Sequence, residues 1–378
     1  MPTTHHHAAA APRGMLLAVA ISLLAHGICA SAEPPADHPV LKMPANTWLA
    51  IPGTAMGTVA AEREKFPNAM GICGPSGVID AWGGAALDTK RNRLILFGGG
   101  HADYGGNELY AFDCSKLTWK RLTEPFADPK DDGSDENPDG TPQSRHTYGG
   151  LAYLAHVDRF FALGGAIYRS GWGSCVKVWT CDFAAANAWK RDADKAPVPS
   201  GYDNMCTYDP ATGKLWWGGR DNGGWCTLWS YDYATKTWAK KSKVETTGYS
   251  ALAMDSKRGQ VVVLVGDAKA QLYDARGEAP MQEVALTGGK GDKCFQAGFE
   301  YDPVADAYVR FGRDDTVYVL DPTTRAWTAN NPPGAPKGKP HGPFGRWRYV
   351  PALNAFVVVT GINEDVHFYK LTAGAGKK

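Results

Sequence analysis

Four residues carry types suited to proton transfer beside an anionic group: His101, His146, Tyr202 and Arg220. Histidine exchanges protons near neutral pH, tyrosine does so when a neighbouring cation lowers its pKa, and arginine offers a planar two-donor fork to a carboxylate. Together they suit β-elimination on a uronic acid. Removing the proton beside the uronate carboxylate builds charge there, so a cation must stabilise it, while a base takes the proton and an acid serves the departing oxygen. No nucleophile is needed. His101 follows Gly98-Gly99-Gly100 and precedes Tyr104-Gly105-Gly106-Asn107, and Arg220 follows Gly218-Gly219. Such glycines let backbone approach something closely. Asn107, Arg145, Asn204, Tyr249, Arg313 and Arg346 are candidate contacts to an anionic polysaccharide. Asp103, Tyr148, Asp221, His341 and Arg348 belong to the same polar set.

Other chemistries find less support. There is no Gly-x-Ser-x-Gly elbow, and the glycine runs do not lead into helical patterns, so nucleophilic hydrolysis and phosphate binding lack their motifs. Asp103 and Asp221 are the only well-placed carboxylates for a glycosidase pair, whose separation would decide its chemistry. The acidic run from Asp128 to Gly140 reads as a solvated loop, with structural calcium as its alternative. No other cofactor is required.

The elements that must hold these residues come from internal repetition. One unit runs Arg93-Leu94-Ile95-Leu96-Phe97-Gly98-Gly99-Gly100, then Glu108 to Asp113, then Thr118-Trp119. This is a buried strand ending in glycines, a second strand ending in Asp, and an outer Thr-Trp strand. It returns at Arg159 to Trp189, Lys214 to Trp238 and Tyr308 to Trp327, and without its Trp at Val261 to Val284. The sixth copy, Ala355 to Leu371, stops without an outer strand, while Asn46 to Ile51 is a Thr-Trp strand without a unit. If the N-terminal strand completes the last unit, a ring closes and no sheet edge is left free. The fold class is therefore all-β, a propeller of six blades closed by the N-terminal strand. Two long intervals leave room for a seventh.

The glycine pair with a later Trp resembles the Kelch motif across nearly the whole chain, and the roughly 50-residue period agrees with it. Loops joining second to third strands then share one face with loops leading into the next blade, and the polar set gathers at that mouth of the central channel. The opposite face has tight turns such as Asp302-Pro303-Val304-Ala305-Asp306, with little room for a site. An Arg-His pair opening a blade, as at Arg145-His146, is also a common hydrogen-bonding device between Kelch blades. The order His101, His146, Tyr202, Arg220 on such a propeller resembles the β-propeller ulvan lyases. That resemblance implies His and Tyr as base and acid, with Arg neutralising the uronate, although those lyases are drawn with seven blades. The alternative is a non-catalytic glycan- or protein-binding propeller. A lesser one is a copper radical oxidase of galactose-oxidase type, for which His341 near Tyr349 is a partial match and the late Tyr-His pair is absent.

Bulk properties set the context. The 378 residues carry 40 basic and 39 acidic side chains, a net charge of +1, which gives no global field for nucleic acid. Arg13, the apolar run Met15 to Leu24 and Ala30-Ser31-Ala32 form a secretory signal peptide, so residues 1–32 read as a leader and 33–378 as one propeller domain. A secreted or periplasmic protein is expected, monomeric and without a membrane span. Export permits disulfides, and proximity favours Cys175 with Cys181 and Cys206 with Cys226.

Overall fold

A computed structural model of the chain describes residues 1–2, 33–130, 132–169, 175–198, 201–220, 226–245, 251–290, 294, 296–337 and 341–374. Residues 3–32, where the leader is read, and Tyr249 lie outside the described residues, as does the side chain of Arg220. The propeller lies within the unit Ser31–Lys378.

Among the described residues, 24 strands pair as six antiparallel sheets of four. The first strand, β1, is Thr47–Ile51. Blade 1 holds β2–β5 (Gly84–Asp88, Arg93–Phe97, Tyr110–Asp113, Thr118–Arg121) and blade 2 holds β6–β9 (Leu151–Leu154, Arg159–Ala162, Val178–Asp182, Ala188–Ala193). Blade 3 is β10–β13 (Met205–Asp209, Lys214–Arg220, Cys226–Asp232, Thr237–Val244), and blade 4 is β14–β17 (Ala251–Asp255, Gln260–Leu264, Lys269–Asp274, Gln282–Ala285). Blade 5 is β18–β21 (Gly298–Asp302, Ala307–Phe311, Val317–Leu320, Trp327–Asn330). Blade 6 has β22–β24 (Trp347–Val350, Ala355–Val358, Val366–Lys370) and takes β1 as its fourth strand. The blade number is six.

Neighbouring blades cover both faces of each inner strand, so these strands are apolar throughout rather than alternating. All five residues of β2 and of β14 are buried, whereas β5 alternates half-buried with exposed. The outer-strand tryptophans fold back on their own blades. Trp119 lies 5.2 Å from Phe112, and Trp238 stacks 4.5 Å from Tyr231. A repeated clamp joins blades at the lower face. Arg91 bridges Asp88 of its own blade and Asp158 of blade 2, which also accepts from Tyr153; Arg258 does the same with Asp255, Asp306 and Tyr301 between blades 4 and 5.

Ring closure rests on β1 pairing with β24 over five residues, from Thr47↔Lys370 to Ile51↔Val366. Trp48 drives that strand into the last blade, with ring centroids 5.0 Å from both Phe311 and Tyr369 and 5.9 Å from Trp347. Beyond the strand, Thr54 holds the chain by donating its N–H to Asp365 and accepting from the N–H of Val366.

The expected disulfides are not formed. All seven described cysteines are free thiols. Cys206 on β10 is level with Trp217 and Trp229, while Cys226 is level with Arg220 and two strands away. Two ladder spacings of about 4.8 Å exceed the Cα reach of a disulfide. Cys175 precedes β8, where it meets Arg145 and Asp135, while Cys181 sits six residues on, inside that extended strand.

Trp48→Ala removes the side chain that seats the closing strand, and a loss of about 3–5 kcal/mol is expected for deleting a buried indole. Urea melts of the variant and the parent check it. Removing residues 33–52 altogether should expose the edge of β24 and give aggregation on gel filtration.

Candidate functional site

The upper mouth of the channel is built from a repeated backbone device. Trp82, Tyr148, Asp203, Gln296 and Phe344 each stand two or three residues ahead of an inner strand, and each has a left-handed φ between 44° and 62°. Non-glycine residues adopt this region at a cost, which surrounding structure must offset. Two of these turns, at Trp82 and Gln296, set side chains against the histidines described below. His101, with φ 43°, adds another such residue after the glycines of blade 1.

Glycine is required where blades 1 and 2 meet. A Cβ on Gly100, at φ 71°, would fall 2.4 Å from the backbone of Arg145 and His146, and one on Gly165, at φ 95°, would fall 1.9 Å from the His146 carbonyl oxygen. Bare backbone on both sides lets His146 settle, with its N–H donating to Ala166 at 3.0 Å.

His146 Nε2 lies 2.9 Å from Asp103 Oδ2. Burial lowers the His146 pKa from its ordinary 6.5, against the raising effect of Asp103, so the imidazole is neutral at pH 7. Neutral imidazole donates one proton, and the carboxylate directs that proton to Nε2, leaving the Nδ1 lone pair to accept another. Burial alone would raise the Asp103 carboxyl, but the hydrogen bonds with His146 and Cys73 act against it, and it stays below its usual range. The His101 ring is 5.7 Å away from His146. On the other side, Trp82 lies 4.9 Å from His146 and stacks on His341 at 3.9 Å. Gln296, buried, holds this stack: with its amide nitrogen donating to the His341 carbonyl at 2.8 Å, its oxygen accepts from the Trp82 indole at 3.2 Å. Burial lowers the His341 pKa as well, reinforced by the exposed Arg313 nearby. Cys73 reaches Asp103 at 3.4 Å, and burial pushes its thiol up to about 11, so it is not a thiolate nucleophile.

The structure thus brings together His101, His146, Asp103, His341 and Arg313. Tyr202 sits on the same face, half-buried at the head of blade 3, and burial raises its hydroxyl pKa. It is a proton donor near neutrality rather than an ionised base. The backbone of Arg220 ends β11, paired with Cys226. Asn204 lies beside Tyr202, buried, donating to the Gly201 carbonyl.

Three candidate contacts are turned inward. Arg145 is fully buried, donating to the Gln143 carbonyl and to Cys175 beneath Phe97. Arg346 donates to the carbonyls of Gly83, Val359 and Gly342, and Asn107 braces Thr141, Pro142 and Phe126. Their polar atoms are committed to backbone and loop partners, which is a fold role. The acidic loop spends carboxylates on cations: Asp128 meets Lys130, Asp135 meets Lys177, and Glu136 meets Lys177 and Arg191. Among the described residues, no three His, Cys, Asp or Glu side chains group as a metal site.

Trp82, Gln296 and Cys73 escape a reading based on strand repeats. Trp82 did leave a signal, since Trp82-Gly83-Gly84 matches Tyr148-Gly149-Gly150 ahead of consecutive inner strands. Gln296 left none, because its partners lie far away in sequence.

No family model matches the chain, and no curated protein matches it. Among solved structures, TolB from Acinetobacter baumannii is similar at 12% identity and TM-score 0.44, covering 67% of this chain and 55% of its own. The chain thus spans about half of TolB. A nidogen/laminin complex is similar at 11% identity and TM-score 0.47, covering 68% of this chain and 81% of that one.

An NMR titration of the His146 ring should give a midpoint below 6.5, because burial penalises the imidazolium. Asp103→Asn should lower it further by removing the group that raises it. The sign carries to stability: a histidine kept neutral by folding destabilises the fold as pH falls below 6.5, so melting temperature should drop there and the drop should shrink in His146→Ala.

Proposed function

We propose that the protein cleaves a uronic-acid-containing polysaccharide by β-elimination at the upper mouth. The observation that carries this reading is the Asp103–His146 pair, in which Nε2 lies 2.9 Å from a carboxylate oxygen that can fix the ring and leave Nδ1 to accept a proton. His146 Nδ1 takes the proton from the carbon beside the uronate carboxylate. The released electron pair forms the ring double bond, and the glycosidic C–O bond on the next carbon breaks. The leaving oxygen takes a proton from Tyr202, whose raised pKa keeps it protonated until that step, or from His101. Arg313, exposed beside His341, and Arg220 supply positive charge for the carboxylate as it gains electron density. A Kelch-like ancestry and kinship with the ulvan lyases belong to this reading, as do export and an anionic polysaccharide partner.

The half-buried Trp82–His341 stack supports a second reading, a glycan-binding propeller, since aromatic surfaces at a mouth also hold sugars without cleaving them. The oxidase reading gains nothing from the geometry: His341 is at the upper mouth, whereas the Tyr349 hydroxyl donates to Asn354 in the lower turn of blade 6.

A panel of uronic-acid polymers distinguishes these readings by the ultraviolet absorbance of an unsaturated uronate. The lyase reading expects that absorbance to grow with at least one polymer. It also expects His146→Ala to slow the reaction by about 10²-fold or more, the usual scale for a lost general base. Saturable binding with no new absorbance across the panel would sink the lyase reading in favour of the binding one. Arg313→Lys should cost more than a charge-conserving change ordinarily does if the fork holds the carboxylate, and wild-type turnover would remove it from that role.

A further inference from the structure

The lower face, where sequence promised only tight turns, opens into a cavity of 250 Å³ along the propeller axis. Four tyrosines line it: Tyr153, Tyr208, Tyr301 and Tyr349, from blades 2, 3, 5 and 6. Each is the penultimate residue of its inner strand, so they stand at one level around the axis. Their hydroxyls are spent on the hairpins behind them. Tyr153 donates to Asp158 at 2.8 Å, Tyr301 to Asp306 at 2.6 Å and Tyr349 to Asn354 at 2.9 Å, while the Tyr208 hydroxyl meets His156 at 2.9 Å. What they offer the cavity is a small area of ring, since Tyr153, Tyr301 and Tyr349 are largely buried between blades. A phenol that donates to a carboxylate has a more electron-rich ring, which strengthens attraction for a cation over its face.

The inner end of the cavity carries an acid, Glu300, whose pKa burial raises against the lowering pull of Arg348. Arg348 Nη1 meets Glu300 Oε1 at 2.5 Å. The other Arg348 nitrogens are taken by carbonyl oxygens, with Nη2 2.9 Å from Ala85 and Nε 2.9 Å from Gly345. Those carbonyl oxygens satisfy the guanidinium donors that Glu300 does not. Among the described residues Arg348 is the hydrogen-bond partner of Glu300, and it engages one carboxylate oxygen, Oε1, of this cavity-lining residue.

We propose that this lower cavity is a binding site for a small organic ammonium ion, its N–H donors on Glu300 and its apolar body among the tyrosine rings. It is a separate site from the upper mouth and independent of the chemistry there. The combination is selective: a carboxylate accepts from an ammonium more strongly than from a hydroxyl, and the aromatic wall favours a cation over its neutral isostere.

Benzylamine, as its ammonium ion, and benzyl alcohol are suitable probes on the full chain by isothermal titration calorimetry. The expected result is saturable one-to-one binding of benzylammonium, with benzyl alcohol weaker by about tenfold or more. Glu300→Gln should weaken benzylammonium by a similar factor. Because that change also strips Arg348 of its partner and could unfold the ring, Thr207→Phe gives a second test by filling the cavity with an apolar side chain from its wall. It should reduce binding as well. The proposal is overturned if benzylammonium does not saturate, if benzyl alcohol binds equally, or if Thr207→Phe, or a folded Glu300→Gln, binds benzylammonium as the parent does.

Discussion

Everything in this molecule depends on the antiparallel pairing of Thr47–Ile51 with Val366–Lys370. A propeller blade is a small sheet that would leave an edge open, and an open ring would leave two faces of apolar inner strand without cover. Bringing the first strand to the last blade removes both problems at once. Trp48 makes the pairing more than a set of backbone hydrogen bonds, because its indole lies among Phe311, Trp347 and Tyr369. Chain ends 319 residues apart, Ile51 and Lys370, are thereby held in one sheet, and the axis around which both mouths are arranged becomes a fixed feature.

With the ring closed, the two mouths acquire different chemistry from the same repeat. On the upper side the lead-in turns place a left-handed residue, Trp82, Tyr148, Asp203, Gln296 or Phe344, ahead of the inner strands of blades 1, 2, 3, 5 and 6. Histidines from blades 1 and 2 and from the segment before blade 6 meet there around Trp82. On the lower side the hairpins are short, and their acids are tied down by Arg91, Arg258 and tyrosine hydroxyls. Tight turns leave the axis uncovered, so the channel behind them is open to that face.

Buried polar groups mark where the fold relies on electrostatics rather than on packing. Arg145 and Arg346 are fully desolvated arginines satisfied chiefly by carbonyl oxygens, and desolvation pushes Arg346 down to about 10. Such groups are costly unless every donor is met, and here they join the loops of neighbouring blades. Arg145 and His146 are adjacent in sequence yet part company in space, one beneath blade 2 and the other at the mouth. Consecutive residues in extended backbone point to opposite sides, and residue type alone does not say which side is which.

Sequence by itself determined the all-β propeller, counted six units with room for a seventh, and offered the N-terminal strand as the closing one. Runs such as Val261-Val262-Val263-Leu264 and the Thr-Trp strands are local signatures, written within a few residues and repeated along the chain. It also placed the loops carrying His101, His146, Tyr202 and Arg220 on one face, because blade topology assigns loops to faces. Only tertiary structure decided that Asp103 pairs with His146, that Gln296 holds Trp82 against His341, and that Glu300 meets Arg348 at the axis. It likewise decided that Cys206 and Cys226 stand too far apart to bridge. Each of these depends on contacts between residues from different blades or strands. Rotation of one blade against the next by a few ångströms would make or break them, and no local pattern records that rotation.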